Sequence, residues 1–320
     1  MNVVAWFGGP DSRHRLKELT GFSILGRAFR AEGAQQDLIR WLRTYWHYPE
    51  HAPPEHHHRI ELEVLPVAPG RMGDHGAAQD ACLPDRTLRF VRQDRSWELR
   101  SGDSGLRFEL LPGVSRIESW GVERSPDAES VYRGLYVALS EALRHSGLLP
   151  LHAAVAERDG AATAWLAPSG GGKSTTLLHA ARAGWHPIAE DLCWLDPESL
   201  MAFGWDREVR VWPQTLAQFF PDLVRAASSA AGGKVAIPYQ CLGGASPRAA
   251  ALSRVVILTH DVTESAAQEP VSGSDVVRAL WEAAGIPLNE ETRTQTATMI
   301  RRLIELLPVH RLPLRGGDLP

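Results

Sequence analysis

The chain is poor in cysteine, with only Cys82, Cys193 and Cys241 in 320 residues. None of them forms a Cys-x-x-Cys pair, so the sequence has neither the ligand spacing of a zinc site nor the framework of a disulfide-rich domain. Isolated cysteines of this kind are typical of proteins in a reducing compartment. We therefore expect a cytoplasmic protein whose fold depends on a hydrophobic core.

Long apolar runs and a surplus of positive charge are also missing. No stretch approaches the ~18 apolar residues that a membrane-spanning helix needs, and the first residues do not combine a basic segment with an apolar one. Lysine and arginine total 34 against 38 aspartate and glutamate residues, which gives a net charge of −4. We therefore expect no binding to nucleic acid or to a membrane through general electrostatic attraction.

The residues that are present form two regions of different pattern. Residues 1–125 contain short alternating segments such as Arg59–Leu65, which predict a β-rich α+β accessory domain with one or two helices and a loop over residues 66–84. In residues 126–320, helical segments alternate with short apolar strands, which predicts an α/β domain. We expect the boundary just before a helix at about residues 128–145, and we expect the accessory domain to recognise substrate.

One stretch of the second region, residues 167–175, reads Ala-Pro-Ser-Gly-Gly-Gly-Lys-Ser-Thr between a strand pattern and a helix pattern. Three successive glycines allow backbone N–H groups to surround an anion, and the helix that follows adds its positive N-terminal end. The motif G-x-x-x-x-G-K-[ST] is matched except that Ala167 replaces its first glycine. The alternative is a glycine-rich turn without a ligand. The predicted phosphate-binding residues are Ser169, Gly170, Gly171, Gly172, Lys173, Ser174 and Thr175.

Two adjacent carboxylates, Glu190 and Asp191, follow the next apolar strand pattern. Near a phosphate loop, one of them can hold Mg²⁺ and the other can accept a proton from an attacking hydroxyl. His152 begins the strand pattern that precedes the loop-bearing strand. The alternatives are a strand end on the surface for the acids and a packed or capping residue for His152.

These three features together resemble the HPr kinase/phosphorylase family, a bacterial serine-kinase fold related to phosphoenolpyruvate carboxykinase. The matching segments are Leu-His-Ala at residues 151–153, the loop at residues 167–174 and Ala-Glu-Asp at residues 189–191, with Glu190 sixteen positions after Ser174. The family's later signature, which is associated with its phosphorylase reaction, has no clear counterpart. The resemblance implies an α/β P-loop kinase domain of the HPr kinase/phosphoenolpyruvate carboxykinase type.

Several positions depart from the family's pattern. Ala167 and Ala153 stand where the family has glycine, and Glu190 stands where it has aspartate. The chain is more similar to the HPr-kinase-related proteins of bacterial peptide-modification clusters, which include lasso-peptide kinases. That similarity rests also on Val-Arg-Val-Trp-Pro at residues 209–213 and Gly-Lys at residues 233–234. It covers about residues 128–315 and leaves the first 125 residues without an assignment.

The resemblance implies transfer of the γ-phosphate of ATP to a serine hydroxyl of a peptide or protein, with a precursor peptide of a biosynthetic cluster as substrate. In that chemistry Glu190 accepts the proton of the serine hydroxyl and His152 orients it. Asp191 and Ser174 lie near Mg²⁺, and Lys173 contacts the outer phosphates. The cofactors are then ATP and Mg²⁺.

Two further cations, Arg210 and Lys234, are candidate contacts to substrate or phosphate. Their alternative interpretation is that of ordinary surface residues. The resemblance also suggests that the protein self-associates as a homo-oligomer.

Other functions stay open from the sequence. Residues 255–261 form an apolar segment that ends in Asp261, as the Walker-B strand of a P-loop ATPase or GTPase would. HPr kinase/phosphorylase proper and a non-catalytic nucleotide-binding protein are the remaining alternatives.

Overall fold

The computed structural model describes most of the chain in several stretches. These are residues 20–33, 58–70, 76–83, 87–121, 128–242, 249–259, 269–271 and 273–313. The chain divides into two compact units, of which the first comprises residues 1–146 and 287–293 and the second comprises residues 147–286 and 294–320. This division falls after residue 146, whereas the sequence pattern predicts a boundary near residue 126.

The first unit is built on one eight-stranded sheet. Its strands are β1 (Thr20–Ile24), β2 (Arg27–Glu32), β3 (Arg59–Leu65), β4 (Ala77–Cys82), β5 (Thr87–Gln93), β6 (Ser96–Ser101), β7 (Ser104–Leu111) and β8 (Val114–Trp120). The order is β1-β2-β3-β8-β7-β6-β5-β4. Strand β3 is parallel to β2 and β8, and the other pairs are antiparallel. The loop predicted over residues 66–84 is wrong for β4, which forms by pairing with β5.

Alternation of apolar and polar residues explains which face of this sheet is buried. In β7, Leu106 and Phe108 are buried, and Phe108 stacks on Trp97 of β6 with ring centroids 5.0 Å apart. Helix α1 (Ala128–His145) covers β6, β7 and β8. A Cβ built on Gly134 of this helix would lie 2.4 Å from Leu106, so glycine is needed for the close approach of helix and sheet.

The second unit contains a nine-stranded sheet and a three-stranded sheet. The strands of the larger sheet are β9 (Leu149–Leu151), β10 (Ala153–Arg158), β11 (Ala161–Leu166), β12 (His186–Ala189), β13 (Cys193–Leu195), β14 (Met201–Gly204), β18 (Ala249–Thr259), β19 (Glu269–Pro270) and β20 (Val309–Pro313). The smaller sheet contains β15 (Glu208–Val211), β16 (Ser228–Ser229) and β17 (Val235–Pro238).

Four further α-helices complete the described chain. They are α2 (Lys173–Arg182), α3 (Pro213–Phe219), α4 (Ser274–Ala284) and α5 (Glu290–Leu306), and α5 begins within the residues of the first unit. Short 3₁₀ helices lie at Pro221–Ala226, Ala231–Gly233 and Tyr239–Leu242. In the described part of the chain, no helix is long and apolar enough to cross a membrane.

The topology of the larger sheet determines which loops meet. Its order is β12-β10-β11-β18-β14-β13-β9, with β20 also paired to β18. Strands β11, β18 and β20 run parallel, while β10 is antiparallel to both β11 and β12. Strands β11 and β12 therefore end at one edge of the sheet and β10 begins there; we call this the loop edge. The predicted α/β class is confirmed at the level of a mixed α/β fold with large mixed sheets.

Candidate active site

The loop edge brings together three segments that are distant in the sequence. His152 directly precedes β10, Ala167 directly follows β11, and Glu190 directly follows β12. The register of β10 and β11 pairs Ala153 with Leu166, so the start of one strand lies beside the end of the other. The predicted phosphate loop, the acid pair and the histidine therefore lie at one edge because of strand direction alone.

The three glycines of the phosphate loop are required either for their backbone conformation or for space. Gly170 and Gly172 have φ angles of +79° and +87°, a region that other residues rarely adopt. Gly171 needs glycine for space, because a Cβ there would lie 2.6 Å from the Cβ of Ala167 and 2.9 Å from the carbonyl oxygen of Pro168. The N–H of Gly171 also donates to that carbonyl at 2.9 Å. The triple glycine is thus required by the tight turn itself.

Lys173 is folded back over this loop. Its ammonium group donates to the carbonyl oxygens of Ala167 at 2.8 Å and Pro168 at 3.3 Å, and the residue is 6% exposed. Burial lowers the pKa of Lys173, although the negative charges of Asp191 and Glu190 oppose that shift. The cation is therefore held in place beside the loop, where it can contact an anion bound by the loop amides.

Glu190 lies beneath the first turn of α2. Its Oε1 accepts a short hydrogen bond from the hydroxyl of Ser174, and its Oε2 lies 3.2 Å from the guanidinium of Arg210. Burial and the neighbouring charge of Asp206 raise the pKa of Glu190 to about 7, against the opposing effects of Ser174 and Arg210. A carboxylate with a pKa near neutrality is suited to accept and release a proton.

Asp191 forms a pair with His152. The Nδ1 atom of His152 lies 3.0 Å from the Oδ1 of Asp191 and 2.9 Å from its backbone oxygen. Since both partners are acceptors, Nδ1 has to carry the proton, and the ring orientation is thereby fixed. Burial acts to raise the pKa of Asp191, but the hydrogen bond and charge of His152, with Arg210 and Lys173, outweigh it and lower this pKa to about 2.

Sequence reasoning missed Asp206, which holds the acid pair in place. Its Oδ2 accepts hydrogen bonds from three consecutive backbone N–H groups, those of Glu190 at 3.1 Å, Asp191 at 2.8 Å and Leu192 at 3.1 Å. Burial raises the pKa of Asp206, and the N–H groups of Asp191 and Leu192 and the charge of Arg210 oppose the shift. No motif marks this aspartate; the only signal in the sequence is its position four residues before Arg210.

Arg210 connects the three carboxylates. Its NH2 atom lies 3.2 Å from Glu190, 3.5 Å from Asp206 and 3.8 Å from Asp191. Burial disfavours its charge, but the three acids outweigh that effect and raise the pKa of Arg210. This arginine is therefore part of a buried ionic network and is not an ordinary surface residue.

Every site residue predicted from the sequence lines one cavity of about 190 Å³. Trp212 and Thr215 lie in the same wall. The predicted residues that line this cavity are His152, Ser169, Gly170, Gly171, Gly172, Lys173, Ser174, Thr175, Glu190, Asp191, Arg210 and Lys234. We call this space the loop cavity.

A larger cavity of about 690 Å³ lies against the other side of the phosphate loop. It shares His152 and residues 169–171 with the loop cavity, and its remaining wall is formed by the ends of β11 and β18, by α4 and by β20. Charged side chains alternate in sign along it: Asp275 lies 2.6 Å from Arg278 and 3.4 Å from Arg311. We call it the outer cavity.

The residues present fit a magnesium ion that is shared with a phosphate ligand. Mg²⁺ is usually held by one or two carboxylates together with substrate phosphates and water. Asp191 and the hydroxyl of Ser174 line one cavity, and the hydrogen bond from Ser174 to Glu190 keeps that hydroxyl at the acid pair. In the described residues no group of three or more His, Cys, Asp or Glu side chains could hold a metal ion.

Asp261, the acid of the alternative ATPase interpretation, lies outside the described residues. The strand that leads to it, β18, ends at Thr259 beside β11 on the loop edge. No protein-family model matches the chain, and a comparison with curated proteins found no match.

Proposed function

We propose that the protein is an ATP-dependent serine kinase of the HPr-kinase-like type. The observation that carries this proposal is the hydrogen bond between Ser174 and Glu190, which joins the phosphate loop to a pair of acids with different proton affinities. Glu190 is buried beside the loop, where Ser174 donates to one of its oxygens and Arg210 lies 3.2 Å from the other, so a proton acceptor is held next to the phosphate position. The pairing therefore favours chemistry on the phosphate over binding alone.

The donor half of the reaction uses the loop. Its backbone N–H groups and Lys173 stabilise negative charge on the β- and γ-phosphates, and Arg210 adds a second fixed cation. When bound, Mg²⁺ at Ser174 and Asp191 supplies further neutralisation of the phosphate charge. Because these groups are already in place, little reorganisation is needed when charge develops.

The acceptor half uses Glu190. The serine oxygen forms a bond to the γ-phosphorus while the bond from that phosphorus to the β–γ bridging oxygen breaks, and ADP leaves. The hydroxyl proton passes to the carboxylate of Glu190. Asp191 and His152 fix each other's orientation beside it, and Asp206 holds the turn that carries both acids.

The outer cavity is the proposed entry for the acceptor. It adjoins the loop cavity at His152 and residues 169–171, so a peptide in it can extend its serine toward Glu190 while a nucleotide occupies the loop. Its mixed charges at Asp275, Arg278 and Glu282 suit a peptide better than a uniformly charged ligand. A precursor peptide of a biosynthetic cluster, modified in the cytoplasm, is the proposed substrate.

The test is a transfer assay followed by mass spectrometry. Full-length protein, ATP, Mg²⁺ and a precursor peptide from the same gene neighbourhood are expected to yield a peptide that carries one phosphate. Lys173→Ala should abolish transfer, while Arg182→Ala, which removes a cation from the far end of α2, should retain it. Release of ADP and free phosphate with no modified peptide would contradict the kinase proposal.

One observation favours a second candidate, a P-loop ATPase. Strand β18 runs parallel to β11 and ends on the loop edge, which is where a Walker-B strand lies relative to its phosphate loop. In that case Asp261→Asn should abolish hydrolysis and Glu190→Gln should leave it intact. The kinase proposal expects the reverse.

A further inference from the structure

The loop cavity contains one aromatic side chain that the proposed chemistry does not use. Trp212 directly follows β15 and lines the cavity next to the phosphate loop. It is 48% exposed and is the one aromatic residue among the exposed large hydrophobic side chains of the described chain. A tryptophan gains much stability from burial, so a half-exposed indole in a polar cavity points to a ligand.

The backbone of Trp212 is held rigidly. Pro213 follows it at the first position of α3, and the N–H of Leu216 donates to the carbonyl of Trp212 at 3.1 Å. Val211, on its other side, pairs with Val235 of β17. The indole is therefore supported by a strand and a helix, which is the kind of support that binding residues need.

The size of the loop cavity indicates where a base would lie. At about 190 Å³ it is smaller than the roughly 300–1,000 Å³ of cavities that enclose such ligands. A nucleotide whose phosphates occupy the loop extends beyond this cavity, and since the outer cavity is the proposed entry of the acceptor, the rim at Trp212 is the place left for the base. Trp212 lies at this rim, since the residue both lines the cavity and is half exposed to solvent.

Lys234 places a positive charge beside the ring of Trp212. Its ammonium lies 5.9 Å from the centroid of the Trp212 ring, and it lines the same cavity. A cation beside an aromatic face matches a ligand that joins a phosphate to a planar base. A phosphate ion alone would make no use of the indole.

We propose that the base of the nucleotide stacks on Trp212 and that Lys234 contacts the phosphate side of the same ligand. This inference rests on the proposed function, because it assumes that a nucleoside triphosphate occupies the phosphate loop. It adds a residue that selects a nucleotide over a simple polyphosphate.

Calorimetric titrations of the full-length protein test whether Trp212 is such a stacking platform for the base. The two probes are ATP and inorganic tripolyphosphate, each with Mg²⁺. Alanine substitution of a stacking aromatic residue weakens base binding by roughly 5- to 150-fold. Trp212→Ala should therefore weaken ATP binding about tenfold or more and leave tripolyphosphate binding within about twofold of the wild type. Trp212→Phe, which keeps an aromatic face, should restore most of the ATP affinity.

The outcomes separate the two proposals. If Trp212→Ala binds ATP as tightly as the wild type, or loses both probes equally, the stacking platform is overturned and the kinase proposal stands. If the wild type binds neither probe, the phosphate-loop function itself fails. Retained tripolyphosphate binding shows in the same titration that the variant is folded.

Discussion

The methyl group of Ala167 occupies the space that a side chain at Gly171 would need. A Cβ on Gly171 would lie 2.6 Å from the Cβ of Ala167, which is closer than non-bonded carbon atoms approach. In the motif G-x-x-x-x-G-K-[ST] the first position is glycine and the fifth is unrestricted. Here the first is alanine and the fifth is glycine. The glycine at the fifth position leaves room for the methyl group at the first, so this compensation means that the altered first position does not exclude a working phosphate loop.

This compensation predicts the behaviour of three variants. Gly171→Ala should weaken ATP binding about tenfold or more, because the loop has to open to admit the methyl group. Ala167→Gly should be tolerated, and the double variant should regain part of the lost affinity. The recovery should be incomplete, since the carbonyl of Pro168 would still lie 2.9 Å from the new Cβ. ATP titrations of the two single variants and the double variant give the coupling energy between the two positions. If the losses of ATP affinity were additive, the compensation would be contradicted.

Neutralising Glu190 and neutralising Asp191 should affect the transfer reaction in different ways. Glu190→Gln should abolish phosphoryl transfer and leave ATP binding measurable, because the amide keeps the shape of the side chain but cannot accept the proton. Asp191→Asn should instead raise the Mg²⁺ concentration needed for half-maximal rate. Single-turnover assays over a range of Mg²⁺ concentrations distinguish the two effects. Unchanged turnover in Glu190→Gln would remove that residue from the proton-accepting role.

Asp206→Ala should lower the transfer rate more than tenfold with little change in ATP affinity. The three backbone N–H groups of residues 190–192 would lose their common acceptor, and hydrogen bonds to a charged group contribute about 1.5–3 kcal/mol each. The matched control is Asp196→Ala. That buried aspartate accepts the N–H of Glu198 at 2.9 Å at the far end of β13. The Asp196→Ala variant should be less stable in thermal unfolding but should keep the transfer rate of the wild type. If Asp196→Ala and Asp206→Ala lost equal amounts of transfer rate, Asp206 would have a structural role only.

A pH-dependent stability difference is expected at Glu98 of the first unit. Burial acts to raise its pKa, but its hydrogen bonds to Arg100 and to Arg107, the latter at 2.6 Å, outweigh burial and lower it. A lowered folded-state pKa means that the stabilisation is present above the unfolded value near 4.5 and is lost as the pH falls through the folded value. Glu98→Gln should therefore be less stable than the wild type by about 1–3 kcal/mol at pH 7. The difference should vanish in acid.

Glu118 provides the control of opposite sign on the same sheet. Arg107 pairs with Glu98 on one side and Glu118 on the other. Burial raises the pKa of Glu118, so its contribution to stability declines as the pH rises above about 4.5. Urea unfolding from pH 3 to 8 should show opposite slopes for the differences produced by Glu118→Gln and Glu98→Gln. Parallel slopes would contradict the assigned shifts.

Segments with strong periodicity were predictable from the sequence. The limits predicted for β3 and for the helix at residues 128–145 agree with the structure, because both segments have a clear apolar pattern. Strand β4, Ala-Ala-Gln-Asp-Ala-Cys, has no such pattern and depends on its partner β5. Strands β9 and β10 are separated at His152, whose N–H donates to the carbonyl of Ala283 in α4 at 2.8 Å. Contacts between distant segments of this kind leave no local trace in a sequence.

The same distinction applies to the site. The phosphate loop and the acid pair are local patterns, and strand direction brings them together on the loop edge. Asp206 acts through the backbone of residues 190–192, and its one signal in the sequence is its position four residues before Arg210. The role of Arg210 as a link between three carboxylates likewise depends on the turn that Asp206 holds.

The three hydrogen bonds that Asp206 accepts from residues 190–192 define a sequence pattern with which other chains that share this site can be found. The aspartate lies fifteen residues after Asp191, and Arg210 follows it by four. A search pattern that joins a glycine-rich Lys-Ser loop, an acid pair and a later Asp-x-x-x-Arg segment needs no similarity over the rest of the chain. Sequences that keep all three parts should keep the preassembled charge network, even where the first 146 residues are unrelated.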